Sequence, residues 1–473
     1  MRFDKILLAR SHFWAYCRVR EPGFYKEERK HLFELCNILN DFYRGKLLAP
    51  NGKVCKKLMI NIPPQHGKSR TLINFCQWIL GRNSKERIIL GSYNDTTAQD
   101  FSKYTRDGIQ EINNEDSYLT FFDIFEKKIR RGSAAYHKWA LEGEHFNYIG
   151  TGIGGSVTSK GGTVLIIDDP VKGAIEALND NYLERCWTWY TSTFLSRVSA
   201  EAGEALQILC MTRWSTNDIC GRVLREDHDE WYQFKREAYS EETSGMLCED
   251  FLNYERYLDL KKYMIPEIFD ANYHQEPVEI KGTLYKSFKT YVDIPRDAAG
   301  NTVFRGIFNY TDTADEGDAY LCSICYGILE NYVYIIDVYF TKDGMEITEP
   351  ETADFLIRNK VNVAKIESNN GGRGFARNVR TIIKQKNERV HITWFHQSKN
   401  KMARILSESA FVQNNVLFPE RWSEMWPEFF KHLRTFKKDG KNKITDGADA
   451  ITGVAENHKG VFQLPNVRVS KPR

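Results

Sequence analysis

The chain has 473 residues, 42% of them hydrophobic and 27% charged, with a formal net charge of +3. That length suits about two to three domains, each with its own core. The near-neutral balance gives no argument from overall charge for nucleic-acid binding, and no run approaches the ~18 apolar residues of a membrane span.

The opening MRFDKILLARSHFW has too short an apolar run for a signal-peptide core, so a cytosolic protein is expected. The ten cysteines are scattered, and the single CxxC (Cys322 to Cys325) has no second pair or nearby His. Buried, reduced strand thiols are expected.

In chain order, residues 24–46 carry Leu32, Leu35, Ile38, Leu39 and Phe42 at helical spacing and predict one amphipathic helix. KKLMINI is a short apolar strand that runs into IPPQHGKSR, and KSRTLINFCQWILG then reads as a helix closed by Gly81. ERIILGSY, GTVLIIDDP and EALQILCMTRW are further strands, with TTAQDFSKYTRDGIQEI a helix. Strands alternating with helices predict a mostly parallel α/β sheet. The pattern breaks near 240–285, a polar and Pro/Gly-containing stretch that reads as a passage between domains. Beyond it, 301–315, 319–329 and 331–341 form a three-stranded antiparallel meander. Helix (352–359), strand (VNVAKIES), helix (373–386) and strand (VHITWFHQ) follow. That element order is the order of a ribonuclease-H-like domain. The expected division is 1–245, an ATPase domain; 246–283, a linker region; 284–458, a nuclease domain; and 459–473, a basic tail.

A phosphate-binding loop needs a strand, a turn exposing N–H groups and a helix N-terminus facing the phosphates. Residues 56–80 supply these parts, although the leading glycine is replaced by Ile62 and the turn is shaped by Pro63-Pro64. Gln65, His66, Gly67, Lys68, Ser69 and Arg70 make up the nucleotide loop, with Lys68 on the phosphates and Ser69 on Mg²⁺. Thr163–Pro170 is an apolar strand ending in Asp168-Asp169, which puts Asp168 beside the metal and Asp169 where a water could be polarised. Thr212 and Arg213 end a third strand and are candidates for sensing the γ-phosphate.

In the second half, two-metal nuclease chemistry would need carboxylates converging on a pair of Mg²⁺ or Mn²⁺ ions. Asp312 ends the first strand, Glu367 ends a later one, and Asp446 and Asp449 begin the last amphipathic segment. Asp315 and Asp318 read as loop charges, and Asp337 is a further candidate inside a strand. Two basic segments, RGFARNVRTIIKQK and KHLRTFKKDGKNK, flank these acids in sequence.

These motifs, in this order, resemble the large subunit of a bacteriophage terminase. PPQHGKSR is similar to the family's loop, GTGIGGSVTSKGGTVLIIDDPVK to its glycine-rich run into the acidic strand, and MTRWSTNDICGRVL to its coupling motif. ANYHQEPV resembles the inter-domain signature, and DTADEGD, ESNNGG and DGADA the nuclease acids. The resemblance implies ATP-driven translocation of double-stranded DNA into a procapsid, and endonuclease cutting of concatemers. It implies ATP and Mg²⁺ as cofactors, with Mn²⁺ able to substitute in the nuclease. The partners it implies are double-stranded DNA, the portal protein, the small terminase subunit and further copies in a ring when docked on the procapsid, with a monomer in solution as the other expected state. The expected location is the host cytoplasm with transient docking on the procapsid portal, and no membrane. The chain departs from the family at Gln65, where Arg is common, at Asp169, where Glu is common, and at Thr445, where an Asp usually stands. Arg106 is a candidate finger toward a neighbouring subunit. An ATP-dependent helicase would need motifs on a second motor domain where 284–458 carry a nuclease pattern, and a decayed scaffold would lack Lys68, Asp312 or Glu367.

Overall fold

The computed structural model describes residues 2–111, 119–132, 135–155, 161–199, 204–279, 282–313, 319–369, 372–398 and 400–461, side chains of 459–461 excepted. It divides into two compact units, residues 1–261 with 266–279, and residues 262–265 with 280–473. Most of the stretch read as a passage, 246–283, thus belongs to the first unit. It contains a helix, Tyr254–Tyr263, and a π-helical turn, Asp270–His274. Asp315, Asp318, residues 156–160 of the glycine-rich run and residues 462–473 of the tail lie outside the described residues.

The first unit is built on seven strands: β1 (Lys57–Asn61), β2 (Ile88–Ser92), β3 (Lys138–Trp139), β4 (Tyr148–Gly152), β5 (Val164–Asp168), β6 (Leu206–Cys210) and β7 (Trp231–Lys235). Their order is β3-β4-β2-β5-β6-β1-β7, and every pairing except β3 with β4 is parallel. Strand side chains alternate between faces, and the core divides accordingly. Leu58, Ile60, Ile88, Leu90, Val164 and Ile166 join one apolar cluster. Met59, Ile89, Leu165, Ile167 and Leu209 join another. Both faces are therefore covered, which is why these strands read as continuous apolar runs. A short ribbon of β8 (Tyr239–Ser240) and β9 (Gly245–Met246) stands apart from this sheet.

Strand β4 was not anticipated, because glycine-rich YIGTG has low strand propensity. Its glycines are required by close packing instead. A Cβ on Gly150 would lie 2.6 Å from the Ala98 carbonyl oxygen, and one on Gly152 would lie 2.6 Å from the Asp95 nitrogen. The helix Asp95–Gln110 can approach the strand only over glycine.

The predicted helix 24–46 begins only at Lys30 and ends at Tyr43. It follows the turn-forming Glu21-Pro22-Gly23 and a run of turns through 29. The helix lays His31, 2% exposed, against the loop after β1, with Nε2 3.1 Å from the His66 carbonyl oxygen.

In the second unit the strands are β10 (Lys289–Tyr291), β11 (Ile307–Asp312), β12 (Leu321–Leu329), β13 (Tyr332–Thr341), β14 (Val363–Glu367), β15 (His391–Phe395) and β16 (Val416–Pro419). Their order is β10-β16-β13-β12-β11-β14-β15. The β11-β12-β13 meander is antiparallel, and β14 and β15 add parallel beyond β11. The meander and the αβ alternation agree with the sequence reading. The added strands β10 and β16, three and four residues long, were too short to read.

Burial depresses the pKa of His31 from 6.5 to about 4 and also lowers that of His66. The unfolded chain therefore binds more protons than the folded one between those values, so stability falls as pH drops from about 6.5 toward 4. The expected loss attributable to His31 is roughly 2 kcal/mol between pH 7 and 5. Urea denaturation across that range checks it. His31→Gln keeps a donor without the titration and is expected to flatten the slope, whereas an unchanged slope would contradict the assignment.

Candidate functional sites

The first site lies at the carboxyl ends of β1, β5 and β6, where open parallel sheets commonly bind ligands. β1 passes through Ile62-Pro63-Pro64 into a turn with Gln65 at φ 61° and Gly67 at φ 88°, and then into the helix Lys68–Arg82. Gly67 is needed twice over, by its left-handed backbone and because a Cβ would come within 2.9 Å of the Phe24 ring. His66 folds back, with Nδ1 2.9 Å from the Pro64 carbonyl oxygen.

Lys68 is buried, and its Nζ donates to Thr212 Oγ1 at 2.9 Å and pairs with Asp169 Oδ2 at 3.0 Å. Burial opposes its charge, but Asp169 and Asp168 more than offset this and hold its pKa above the ordinary value. Ser69 Oγ donates to Asp168 Oδ2 at 2.8 Å. Asp168 is 4% exposed, and burial together with the neighbouring Asp169 charge pushes its pKa up to about 7. A buried carboxylate beside a hydroxyl is a suitable hard-oxygen donor set for Mg²⁺. Asp169 has φ 41°, and its Oδ1 accepts the Thr212 N–H at 3.0 Å. Lys68, Ser69, Asp168, Asp169 and Thr212 are thus brought together.

The remaining nucleotide candidates are placed differently. Gln65 is exposed, and Arg70 turns to Glu21 at 2.5 Å and stacks over Phe24 at 4.2 Å. Arg213 has both carboxylate oxygens of Asp218 within 3.1 Å of its Nε, at the cap of the helix Ile219–Glu226. Arg106, 8% exposed, pairs with Asp107 and lies over Tyr136.

Sequence reading missed three contributors here. Ser92 ends β2 as the register partner of Asp168, and its buried hydroxyl has no hydrogen-bond partner among the described residues. Asn272 and Gln275 clasp the strand end after β6: Asn272 Nδ2 donates to the Arg213 carbonyl at 2.8 Å, and Gln275 Oε1 accepts the Arg213 N–H at 3.0 Å. The signal for that pair was the ANYHQEPV motif, which carried no residue roles.

In the second unit, oxygens of Asp312, Glu367 and Asp449 lie within 4.8 Å of one another, and all three residues are buried. β11 and β14 are parallel neighbours and deliver Asp312 and Glu367. The helix Asp446–Val461 delivers Asp449, and Gly453 lets it sit on Tyr310, where a Cβ would be 2.0 Å from the ring. Asp446, expected in the catalytic set, is not among these three. Its Oδ2 accepts the Tyr320 N–H at 2.9 Å, and it stands one helical turn before Asp449. Asp337 is tied to Asn359 and Arg358 instead.

Two cations unnoticed in the sequence balance these acids. Lys401 Nζ lies 3.2 Å from Asp312, 2.8 Å from Asp446 and 3.3 Å from Asp449. Arg404, one turn later on the helix Lys401–Asn415, binds Asp449 at 2.9 Å, Glu456 at 2.9 Å and the Tyr310 hydroxyl at 3.2 Å. That hydroxyl donates to Glu367. Even so, burial keeps the Asp312 pKa well above the carboxylate range and lifts that of Asp449 to about 6. Converging oxygen donors of this kind fit Mg²⁺ or Mn²⁺.

A family model described as "Terminase Bacteriophage T7, Ribonuclease H-like domain" matches residues 311–414. Among solved structures, the large terminase of a thermophilic bacteriophage in complex with ADP aligns with TM-score 0.50 and 8% identity, over 91% of this chain and 98% of that one. The HK97 bacteriophage large terminase aligns with TM-score 0.35 and 11% identity, over 88% and 94% of the two chains. A search of curated proteins returns no match. The family match marks residues 311–414 as a terminase-type ribonuclease-H-like domain, and the likeness to the thermophilic phage large terminase is one of fold.

Proposed function

We propose that the chain is the motor subunit of a viral DNA-packaging machine, hydrolysing ATP at the first site and cutting concatemeric double-stranded DNA at the second. The observation that carries this reading is that one chain holds both a lysine–serine–aspartate nucleotide constellation and a buried three-carboxylate cluster. ADP and ATP-γ-S are bound by the thermophilic phage terminase, and manganese is named with the Sf6 terminase nuclease domain. ATP with Mg²⁺ in the first site and Mg²⁺ or Mn²⁺ in the second are the cofactors we assign. The portal, the small subunit and sister copies in a ring are the partners of the same reading.

Lys68 is the phosphate-binding cation in this scheme. It now rests on Asp169 and Thr212. Transfer of its charge to phosphate oxygens would release an Asp169 oxygen to accept a proton from the attacking water. Thr212 keeps Asp169 oriented through its backbone N–H. A divalent cation bound at Ser69 and Asp168 would neutralise charge on the phosphates. In the second site Asp312, Glu367 and Asp449 are the metal-holding acids, and metal ions there would stabilise the attacking and leaving oxygens of phosphodiester cleavage. Arg404 and Tyr310 fix the orientation of Glu367 and Asp449.

Lys68→Ala is expected to lower ATP hydrolysis by at least about 10²-fold while leaving Mn²⁺-dependent plasmid cutting intact. Asp312→Ala is expected to do the reverse. Cutting by Asp312→Ala at the parental rate would overturn the nuclease site, and unimpaired hydrolysis by Lys68→Ala would overturn the ATP site. Within the acidic cluster, Asp449→Asn should abolish cutting in a plasmid-nicking assay, whereas Asp446→Asn should reduce it by roughly tenfold or less. The opposite ranking would make Asp446 the ligand.

A further inference from the structure

The helix Gly372–Gln385 follows Glu367 by five residues, and its buried side is Phe375, Ala376, Val379 and Ile383. Its start is pressed onto the acidic cluster's strand ends. A Cβ on Gly372 would lie 2.1 Å from the Glu367 carbonyl oxygen and 2.6 Å from Thr313 Oγ1. From that anchor, Arg373, Arg377, Arg380 and Lys384 run outward, and all four are exposed. Their spacing of 4, 3 and 4 residues puts them within about 60° of one another around a helix, in a stripe about 16 Å long.

Neighbouring acids do not neutralise this stripe. Arg373, Arg377 and Lys384 have no acidic partner among the described residues, and Arg380 lies over the Trp394 ring of β15 at 5.2 Å. The acidic helix Met345–Arg358 meets this helix at Asn378, which donates to Glu349 at 2.9 Å. At 100° per residue, Asn378 points roughly 130° away from the centre of the stripe. Four cations on one flank repel one another, so the arrangement has an electrostatic cost that an anionic partner would remove.

We propose that this stripe is a phosphate track, along which the backbone of duplex DNA is held as it enters the three-carboxylate site. The inference rests on the nuclease reading above and adds to it the surface that positions the substrate. A length of about 16 Å covers roughly five base-pair rises at 3.4 Å each, enough for several phosphate contacts. Such contacts position the duplex and carry no sequence information.

The test uses the full chain with Arg373, Arg377 and Lys384 changed together to Gln. A control with Lys286, Lys289 and Lys360 changed to Gln removes the same charge elsewhere in the unit. Binding of a labelled duplex is measured by fluorescence anisotropy against salt concentration, in Ca²⁺. The stripe variant is expected to lower the slope of log K against log salt by about 2–3. It should also raise KM for DNA in Mn²⁺-dependent cutting by about tenfold or more, with kcat at saturating DNA within about twofold. The control should leave the slope and KM near parental values. Equal slopes for the two variants, or a loss confined to kcat, would overturn the track. Should the parental chain cut no DNA while the stripe variant alone loses salt-dependent binding, the nuclease reading fails and the stripe stands only as a duplex-binding surface.

Discussion

Both sites rest on the same constraint: carboxylates buried at the ends of strands must be balanced by positive charge. In the first unit, Asp168 and Asp169 sit against Lys68. In the second, Asp312 and Asp449 share Lys401, and Asp449 also binds Arg404. In each case burial still raises the pKa of an acid, to about 7 for Asp168 and about 6 for Asp449. The lysines thus leave each cluster electrostatically receptive to further positive charge. Cation binding at either site, as proposed, would draw on that property.

The folds supply this arrangement by different routes. The first sheet is covered on both faces, so polar groups can meet ligands only at strand ends and in the loops beyond them. The order β5-β6-β1 brings the acidic strand, Thr212 and the loop before Lys68 to adjoining ends. The second sheet places Asp312 and Glu367 on neighbouring strands and draws Asp449 in on a helix that can settle over Tyr310 because residue 453 is glycine. Close approach over glycine recurs at Gly67, Gly150, Gly152 and Gly372. These contacts fix how near a loop or helix can come to a strand end, and so how tightly the side chains converge.

Much of this was legible in the sequence. Apolar runs ending in acids marked β5, β11 and β14, and the meander before the αβ alternation predicted β11 to β15 of the second unit, though not the added strands β10 and β16. Lys68, Ser69, Asp168, Asp312 and Glu367 could be singled out as candidates because each stands at a strand end or helix start that periodicity can locate. Lys401 and Arg404 were not, since a lysine and an arginine one turn apart on a helix usually make a solvated face. Only the fold turns that face toward acids from three distant segments. The choice between Asp446 and Asp449 was hidden for a similar reason: both lie in the first turn of one helix, and its packing over Tyr310 decides which reaches Glu367. Ser92 carried no signal at all, because its role depends on the parallel pairing of β2 with β5.

The buried carboxylates of the second unit are expected to form a cation site that exists without nucleotide. Electron paramagnetic resonance of free Mn²⁺, titrated into the full chain in the absence of ATP, measures this directly. Tight Mn²⁺ uptake by the parental protein, lost in both Asp449→Asn and Glu367→Gln and retained in Lys68→Ala, is the predicted result. Equal Mn²⁺ uptake by the parent and the two acid variants would mean that Asp449 and Glu367 do not hold the ion.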